Sequence, residues 1–203
     1  NPWLDRAAQS LAEALRLVVS KELDIEFTEL VTGYRIRENM KGFFVDIYLY
    51  DNLSSGAGYA ASVAKEIKQL LDDLARFLQD CDCKSACYKC LKHYRNQYIH
   101  GMLDRFAALE LLNWGRNAVV SSDISNDEQI RYVISLSHIL ELSDCKIETS
   151  SGAIMVNRKN RKKQIIIYPA MWAEPCSENV VYISDFCIKY AKPYAVQKII
   201  ENC

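Results

Sequence analysis

The 203-residue sequence predicts an α+β fold, in which helices, a small antiparallel sheet and a four-cysteine knuckle are followed by a small α/β lobe. Three observations predict it. Apolar residues recur at helical spacing in several segments, short β-branched and aromatic runs alternate with turn residues, and four cysteines lie within ten residues. Half of the residues are hydrophobic, and only 7 glycines and 4 prolines interrupt them, which excludes collagen-like and disordered classes.

The first part of the sequence, residues 1–116, combines helices with a β-hairpin. Apolar residues at steps of three and four predict helices at 3–20, 60–79 and 102–114. Two β-branched and aromatic runs, with turn residues at 37–42 between them, predict strands at 25–36 and 43–50. A glycine-containing turn at 54–58 leads into the second helix, and the cysteines follow that helix directly.

The second part, residues 117–203, reads as a small α/β lobe, and its sequence indicates no particular role. A polar stretch at 115–127 marks the boundary. Helical periodicity predicts helices at 128–142 and 193–200, the second with Pro193 in its first turn. Short apolar runs predict strands at 145–148, 153–157, 164–168 and 180–183.

The knuckle is the strongest chemical signal in the sequence. Its spacing, C-x-C-x3-C-x2-C, lets a short loop wrap four thiolates around one ion: Cys81, Cys83, Cys87 and Cys90. Four sulfur ligands form the closed tetrahedral site of structural zinc, so we expect one zinc per chain that stabilises the local fold without catalysis. An iron–sulfur cluster uses the same ligands and is the alternative cofactor. His93 is the alternative to one of the cysteines as a ligand.

The charges of the whole sequence nearly cancel, with 25 basic and 26 acidic residues and a net charge of −1. Overall charge therefore does not draw the chain to DNA or to a membrane surface. The sequence has neither a span-length apolar run nor a basic-then-apolar leader, so we expect a cytoplasmic protein in a reducing compartment. It begins at Asn1 without an initiator methionine, which predicts a segment of a longer protein.

Several short motifs accompany the cysteines. A Tyr-Asp pair at 50–51 precedes the glycine turn, and Tyr-Arg-Asn at 94–96 and Leu-Asp-Arg at 103–105 follow the knuckle. In this combination residues 5–115 resemble the MrfA-type zinc-binding domain, the C-terminal module of superfamily-two DExH-box helicases and of helicase-related anti-phage defence proteins (Druantia, DISARM). The resemblance matches the four cysteines to the metal ligands one for one.

The resemblance implies an accessory domain of an ATP-dependent DNA helicase of bacterial defence or repair. It places the motor domains and their ATP elsewhere in the parent protein, and no catalytic set is predicted in this segment. The implied partners are DNA, single-stranded or at a duplex junction, the motor domains of the same chain, and subunits of a defence complex. The alternative is a protein-interaction module that docks such a subunit. Family members usually carry Pro-Gly where this sequence has Ser54-Ser55, and a proline where it has Tyr88-Lys89.

A basic stretch around the knuckle is the candidate nucleic-acid surface. Between residues 84 and 116 six basic and two acidic residues give a local charge of +4, and tyrosines are interleaved. Basic side chains neutralise phosphates and aromatic rings stack on exposed bases. We therefore predict nucleic-acid contacts at Lys89, Lys92, Tyr94 and Arg95. The alternative is that Tyr94 and Tyr98 pack against the knuckle, while Arg95 and Asn96 make hydrogen bonds inside it.

Two further features are weaker candidates. A basic run in the second part predicts contacts at Arg158, Lys159 and Arg161, with a solvated hairpin tip as the alternative. Gly56 and Gly58 before a helix are able to cradle a phosphate. No P-loop lysine follows them, so a tight turn that only glycine makes is favoured.

Overall fold

The computed structural model describes residues 1–40, 42–52, 56, 58–150, 152–159 and 161–203. The chain divides into two compact units, Asn1–Val119 and Val120–Cys203. Parts of two predicted turns lie outside the described residues, namely Lys41, Ser54, Ser55 and Ala57. Within the described ranges, no helix is both long enough and apolar enough to cross a membrane.

The first unit contains helices, one β-hairpin and the knuckle, as the sequence predicts. Its elements are α1 (Pro2–Glu22), β1 (Leu30–Asn39), β2 (Gly42–Asp51), α2 (Tyr59–Ala64), α3 (Ile67–Gln79) and α4 (Arg105–Asn117). Short 3₁₀ segments lie at Phe27–Glu29 and Tyr94–Met102. The second of these segments connects the knuckle to α4, so the knuckle lies between α3 and α4 in the chain.

Helix α1 is the centre of the first unit. Asn1 caps it, because its side-chain oxygen accepts hydrogen bonds from the N–H groups of Trp3 (3.1 Å) and Leu4 (3.3 Å), and Pro2 occupies the first turn. Its apolar stripe packs against α4, the hairpin and α3. The stripe is rich in small residues, which let the neighbouring elements approach closely: Ala7, Ala8, Ala12 and Ala14.

The hairpin pairs β1 and β2 over their full length, from Leu30 opposite Asp51 to Asn39 opposite Gly42. Side chains of successive residues point to opposite faces of a sheet, so each strand has an inner and an outer face. Val45, Ile47 and Leu49 on the inner face are partly buried, whereas the residues between them in β2 are exposed. The hairpin therefore covers α1 with one face and leaves the other uncovered in this unit.

The predicted helix at 60–79 is wrong in one respect, because the structure breaks it after Ala64. In a continuous helix Val63 and Ile67, four residues apart, would share one face. After the break Val63 is buried while Ile67 is half exposed, and α3 instead buries Leu70, Leu74 and Leu78. The bend brings these three leucines to the core. The apolar spacing in the first turn of the predicted helix does not indicate such a bend.

The second unit is a mixed sheet covered by helices, and the predicted α+β class with a small α/β lobe is confirmed. It contains α5 (Asn126–Glu141), β3 (Lys146–Ser150), β4 (Ala153–Arg158), β5 (Arg161–Tyr168), β6 (Val180–Ser184), α6 (Asp185–Tyr190) and α7 (Lys192–Asn202). The strand order is β3-β4-β5-β6, with β5 and β6 parallel and the other pairs antiparallel. Helix α6 is not predicted by the sequence analysis. Its start is capped by Ser184, whose hydroxyl accepts a hydrogen bond from the N–H of Cys187.

The core of the second unit forms between the sheet and its helices. Alternate residues of β4, β5 and β6 are buried, namely Ile154, Val156, Ile165, Ile167, Val181 and Ile183. They meet apolar residues of α5 and α7, among them Leu136, Leu140 and Ile199. The period of two in the strands and of about four in α5 explains why each element buries one side.

Candidate metal centre and nucleic-acid surface

The four knuckle thiols lie together at the end of α3. Their sulfur atoms are all within 4.8 Å of one another. Sulfur–sulfur distances are 3.5 Å between Cys81 and Cys87, 3.6 Å between Cys83 and Cys90, and 3.8 Å between Cys87 and Cys90. A tetrahedron of sulfurs about 2.3 Å from a central zinc has edges of about 3.8 Å, so these spacings fit a single tetrahedral ion.

Backbone groups of the knuckle are directed at the thiols and hold the loop closed. The N–H of Cys87 donates to the sulfur of Cys90 (3.2 Å), and the N–H of Lys89 donates to the sulfur of Cys87 (3.4 Å). The carbonyl of Cys87 accepts hydrogen bonds from the N–H groups of Cys90 (3.1 Å) and Lys92 (3.0 Å). These bonds form two tight turns that bring the second pair of cysteines back toward the first.

The environments of the thiols shift their pKa values in opposite directions. The hydrogen bond from the N–H of Lys89 stabilises the Cys87 thiolate and lowers the pKa of that thiol to about 7. Burial raises the pKa of Cys90 to about 12, and it also raises the pKa of Cys83. Of these three thiols, Cys87 gives up its proton first, and a metal ion has to displace the protons of the other two.

Arg105, the last residue of the Leu-Asp-Arg motif, connects α4 to the knuckle. Its guanidinium donates two hydrogen bonds to the carbonyl of Cys83 (3.2 and 3.1 Å) and one to the carbonyl of Leu78 (2.9 Å). Its own N–H donates to the carbonyl of Ser85 (2.8 Å). The side chain is buried, so its positive charge lies inside the unit beside the cysteines. Asp104 before it caps α4 by accepting from the N–H of Phe106 (2.9 Å).

A buried carboxylate, Glu13 of α1, connects the segment after the knuckle to the centre of the unit. Its side chain accepts hydrogen bonds from the amide of Asn96 (3.1 Å) and from Arg16 (2.8 Å), and it lies 2.5 Å from Nε2 of His93. Asn96 also donates to the carbonyl of Leu91 (2.8 Å). Sequence reasoning missed Glu13, because a single acidic residue in an amphipathic helix carries no signal of its own.

His93 is not positioned as a metal ligand. Nε2 of its ring contacts Glu13, and Nδ1 accepts a hydrogen bond from the N–H of Arg95 (3.2 Å). Nε2 thus connects the residue before the 3₁₀ segment to α1, and Nδ1 caps the start of that segment. The alternative ligand set with His93 in place of a cysteine is therefore wrong.

Asp51 explains the Tyr-Asp and glycine motif. Its carboxylate accepts hydrogen bonds from the N–H groups of Gly58 (2.7 Å) and Ala60 (3.0 Å) at the start of α2. Gly56 and Gly58 have φ angles of +64° and +81°, which glycine adopts without strain. The carboxylate of Asp51 thus occupies the place where a phosphate would bind. The prediction of a phosphate site at these glycines is therefore wrong, and the favoured tight turn is present.

The predicted contact residues near the knuckle lie on its outer side. Lys89, Tyr94 and Arg95 are exposed and Lys92 is partly exposed. The neighbouring tyrosines are also open to solvent, with exposed fractions of 70% for Tyr88, 82% for Tyr94 and 86% for Tyr98. The alternative that Tyr94 and Tyr98 pack against the knuckle is therefore wrong, whereas Asn96 is buried and makes the internal hydrogen bonds that this alternative expects.

Two members of the basic stretch turn inward, so the surface is less basic than the sequence indicates. Arg105 is buried against the knuckle carbonyls. Arg116 donates to the carbonyl of Leu71 (3.0 Å) and pairs with Asp72. Basic side chains outside such internal contacts remain at Lys84, Lys89 and Lys92, while Arg95 extends over the ring of Phe27 at 5.7 Å.

The predicted contacts at Arg158, Lys159 and Arg161 belong to the second unit, where they flank the turn between β4 and β5. Arg158 donates to the carbonyls of Ser143 (3.2 Å) and Ile200 (2.8 Å), which ties the turn to the end of α7. Lys159 and Arg161 are exposed. Arg158 therefore has a structural role in this unit, whereas the other two are open to solvent.

Comparison with known proteins agrees with the motif resemblance. Over 185 aligned residues the chain is 34% identical to Druantia protein DruE of Escherichia coli (strain UMEA 4076-1), a match that covers 88% of this chain and 10% of DruE. The match leaves only about 24 residues of this chain unaligned. Most of the second unit therefore has a counterpart in DruE, although sequence analysis found no resemblance for this part.

A second comparison is structural. The crystal structure of the DUF1998 helicase MrfA bound to DNA is 21% identical, with a TM-score of 0.43 over 55% of this chain and 14% of that one. The chain thus spans about a tenth of DruE and about a seventh of MrfA. The family model described as the MrfA Zn-binding domain matches residues 11–91, which include all four knuckle cysteines. Residues 11–91 are thus similar to the MrfA Zn-binding domain family.

Proposed function

We propose that the chain is a zinc-stabilised accessory segment of an ATP-dependent DNA helicase of bacterial defence or repair. In this proposal one zinc ion is held by Cys81, Cys83, Cys87 and Cys90, and the knuckle presents a DNA-binding surface. The domain assignment follows the sequence, with the MrfA-like zinc-binding domain at 1–116 and a small α/β lobe, to which no role is assigned, at 117–203. The family match and the likeness to a Druantia protein support the defence assignment.

The closed sulfur set supports a structural role for the metal. Four protein thiolates complete a tetrahedral zinc, so no position is left for an activated water. When bound, zinc joins the end of α3 to the turns before the 3₁₀ segment and stabilises the fold of the unit. An iron–sulfur cluster divides its thiolates among several irons, whereas the four sulfur atoms here all lie within 4.8 Å of one another. That spacing favours a single ion.

The observation that carries the DNA-binding proposal is the exposed surface on the knuckle. Lys89, Lys92 and Arg95 supply positive charge, and Tyr94 supplies a ring that is 82% exposed. A zinc bound by four thiolates has a net charge of −2, which these cations and the buried Arg105 offset. Cations with open aromatic rings form the surface that binds single-stranded nucleic acid, through phosphates and stacked bases together.

The test is the salt dependence of DNA binding. Fluorescence anisotropy with a labelled single-stranded oligonucleotide gives the affinity of the zinc-loaded chain across a range of salt concentrations. Replacing both Lys89 and Arg95 with alanine removes two phosphate contacts, so the slope of log K against log salt should fall by about 1.4. The matched control replaces Lys65 and Lys68, which are exposed at the N-terminal end of α3, whereas the knuckle follows its C-terminal end, and should leave the slope nearly unchanged. Equal effects of the two pairs would contradict a specific knuckle surface.

The second candidate function is protein docking, and a groove in the first unit favours it. The groove has a volume of about 680 Å³ and lies between α1, β2, α3 and α4. Its wall is mainly apolar, with Val45, Ile47, Leu71, Leu111 and Trp114 among its residues. An apolar interface keeps its affinity at high salt, whereas DNA binding weakens steeply, so the same salt series separates the two functions.

A further inference from the structure

The outer face of the β-hairpin carries a pair of neighbouring tyrosine rings that the knuckle surface does not include. Tyr48 and Tyr50 lie two residues apart in β2, so both side chains are on the same face. Their ring centroids are 6.3 Å apart with an angle of 27° between the planes. The two residues are 47% and 49% exposed, so each ring keeps an open face.

Gly33 in β1 makes room for this arrangement. It lies directly opposite Tyr48 in the strand pairing. A Cβ atom at position 33 would come within 2.5 to 2.6 Å of the phenol end of Tyr48, so the ring lies across the strand where a side chain would otherwise stand. Gly33 does not have a positive φ. The glycine is thus required by the ring of Tyr48 and not by the backbone.

The charges on the same face favour a nucleic acid over a protein partner. Arg35 and Arg37 of β1 face the same side as Tyr48, next along the hairpin, and Asp46 lies opposite Arg35. Arg37 pairs with Asp46 through two hydrogen bonds of 2.8 Å. Within the part of the chain that the structure describes, Arg35 forms no hydrogen bond or salt bridge, although its charge acts on Asp46; two arginines against one aspartate leave this face with excess positive charge beside the rings.

We propose that this outer face binds single-stranded DNA, with successive bases stacked on Tyr48 and Tyr50 and the backbone phosphates near Arg35. Aromatic rings on a sheet surface with an adjacent cation are the recurring features of such binding. The inference rests on the proposed DNA-binding function and adds a second surface to it. Gly33 acts as a positioning residue, since it allows the ring of Tyr48 to lie flat.

The experiment measures binding of the zinc-loaded chain to a labelled oligothymidylate of about 20 nucleotides, longer than the 4 to 16 nucleotides that such sites cover. Replacing Tyr48 or Tyr50 with alanine should weaken binding by about 5-fold to 100-fold. Tyr48→Phe keeps the ring and should bind within about 2-fold of the unchanged chain. Gly33→Ala should weaken binding while the melting temperature stays equal or rises, because alanine is better tolerated than glycine in a strand.

Three outcomes separate this inference from the proposed function. Oligothymidylate binding that drops with the hairpin variants supports the inference. Unchanged binding in those variants, with loss in the variant lacking Lys89 and Arg95, overturns the inference and leaves the knuckle surface standing. Absence of single-strand binding in the unchanged chain overturns both this inference and the proposed knuckle surface, so it is distinct from the second outcome. Metal content detects an alanine variant that has lost zinc or its fold. In that case the binding of Gly33→Ala and Tyr48→Phe decides whether the hairpin face binds DNA.

Discussion

Replacing Arg105 with alanine removes the guanidinium group whose hydrogen bonds connect α4 to the knuckle. The side chain is only 6% exposed, and its three hydrogen bonds end on two carbonyls, those of Leu78 and Cys83. Each carbonyl left without its donor costs about 1 to 3 kcal/mol, so we expect the free energy of unfolding to fall by about 2 to 6 kcal/mol. Arg105→Lys keeps the charge but lacks the planar guanidinium group, so we expect it to restore only part of the lost stability.

The effect should extend to the metal, because Cys83 is both a hydrogen-bond acceptor of Arg105 and a member of the thiol cluster. A loss of 2 kcal/mol that falls on the zinc-bound loop weakens zinc binding by about 30-fold. Competition with a coloured chelator measures the zinc affinity, and thermal unfolding measures the stability. The control is Arg116→Ala, in the same helix, whose guanidinium donates to the carbonyl of Leu71 away from the cysteines. If Arg105→Ala binds zinc as tightly as Arg116→Ala, the role assigned to Arg105 is refuted.

Three more predictions concern the supports of the first unit. Glu13→Ala leaves Asn96 and Arg16 without their carboxylate partner. Denaturant titration should show the free energy of unfolding lowered by about 3 to 5 kcal/mol. The control Glu22→Ala, at the exposed end of α1, should change it little. Asp51→Ala removes the acceptor at the start of α2, so the amides of that helix should exchange faster by the equivalent of about 0.5 to 2 kcal/mol. Removing zinc with a chelator should raise hydrogen exchange throughout the knuckle and leave the second unit, which has its own core, protected; equal loss in both units would contradict this.

Much of the fold can be predicted from the sequence because the patterns that indicate its helices and strands are local. Apolar periodicity predicts α1 and α4 to within about three residues of their ends. The hairpin and the four strands of the second unit follow from β-branched runs. The thiol cluster is predicted because its four members lie within ten residues, so a short loop necessarily brings them together.

The features that sequence analysis misses depend on contacts between distant residues. Arg105 reaches carbonyls 22 and 27 positions earlier, and Glu13 contacts His93 and Asn96, which lie 80 and 83 positions later. Counting charges places Arg105 on a basic surface, whereas its burial shows that it belongs to the interior. The role of Gly33 is equally hidden, because it depends on the register that puts Tyr48 opposite it.

Metal content, measured together with the visible absorption spectrum of the purified chain, tests the zinc assignment most directly. One zinc per chain in a colourless protein is the expected result, and Cys83→Ser or Cys87→Ser should lose the metal and destabilise the first unit. Cys176→Ser, an exposed cysteine of the second unit, is the matched control and should keep the zinc. A brown protein that contains iron and sulfide, or a folded protein without any metal, would contradict the assignment.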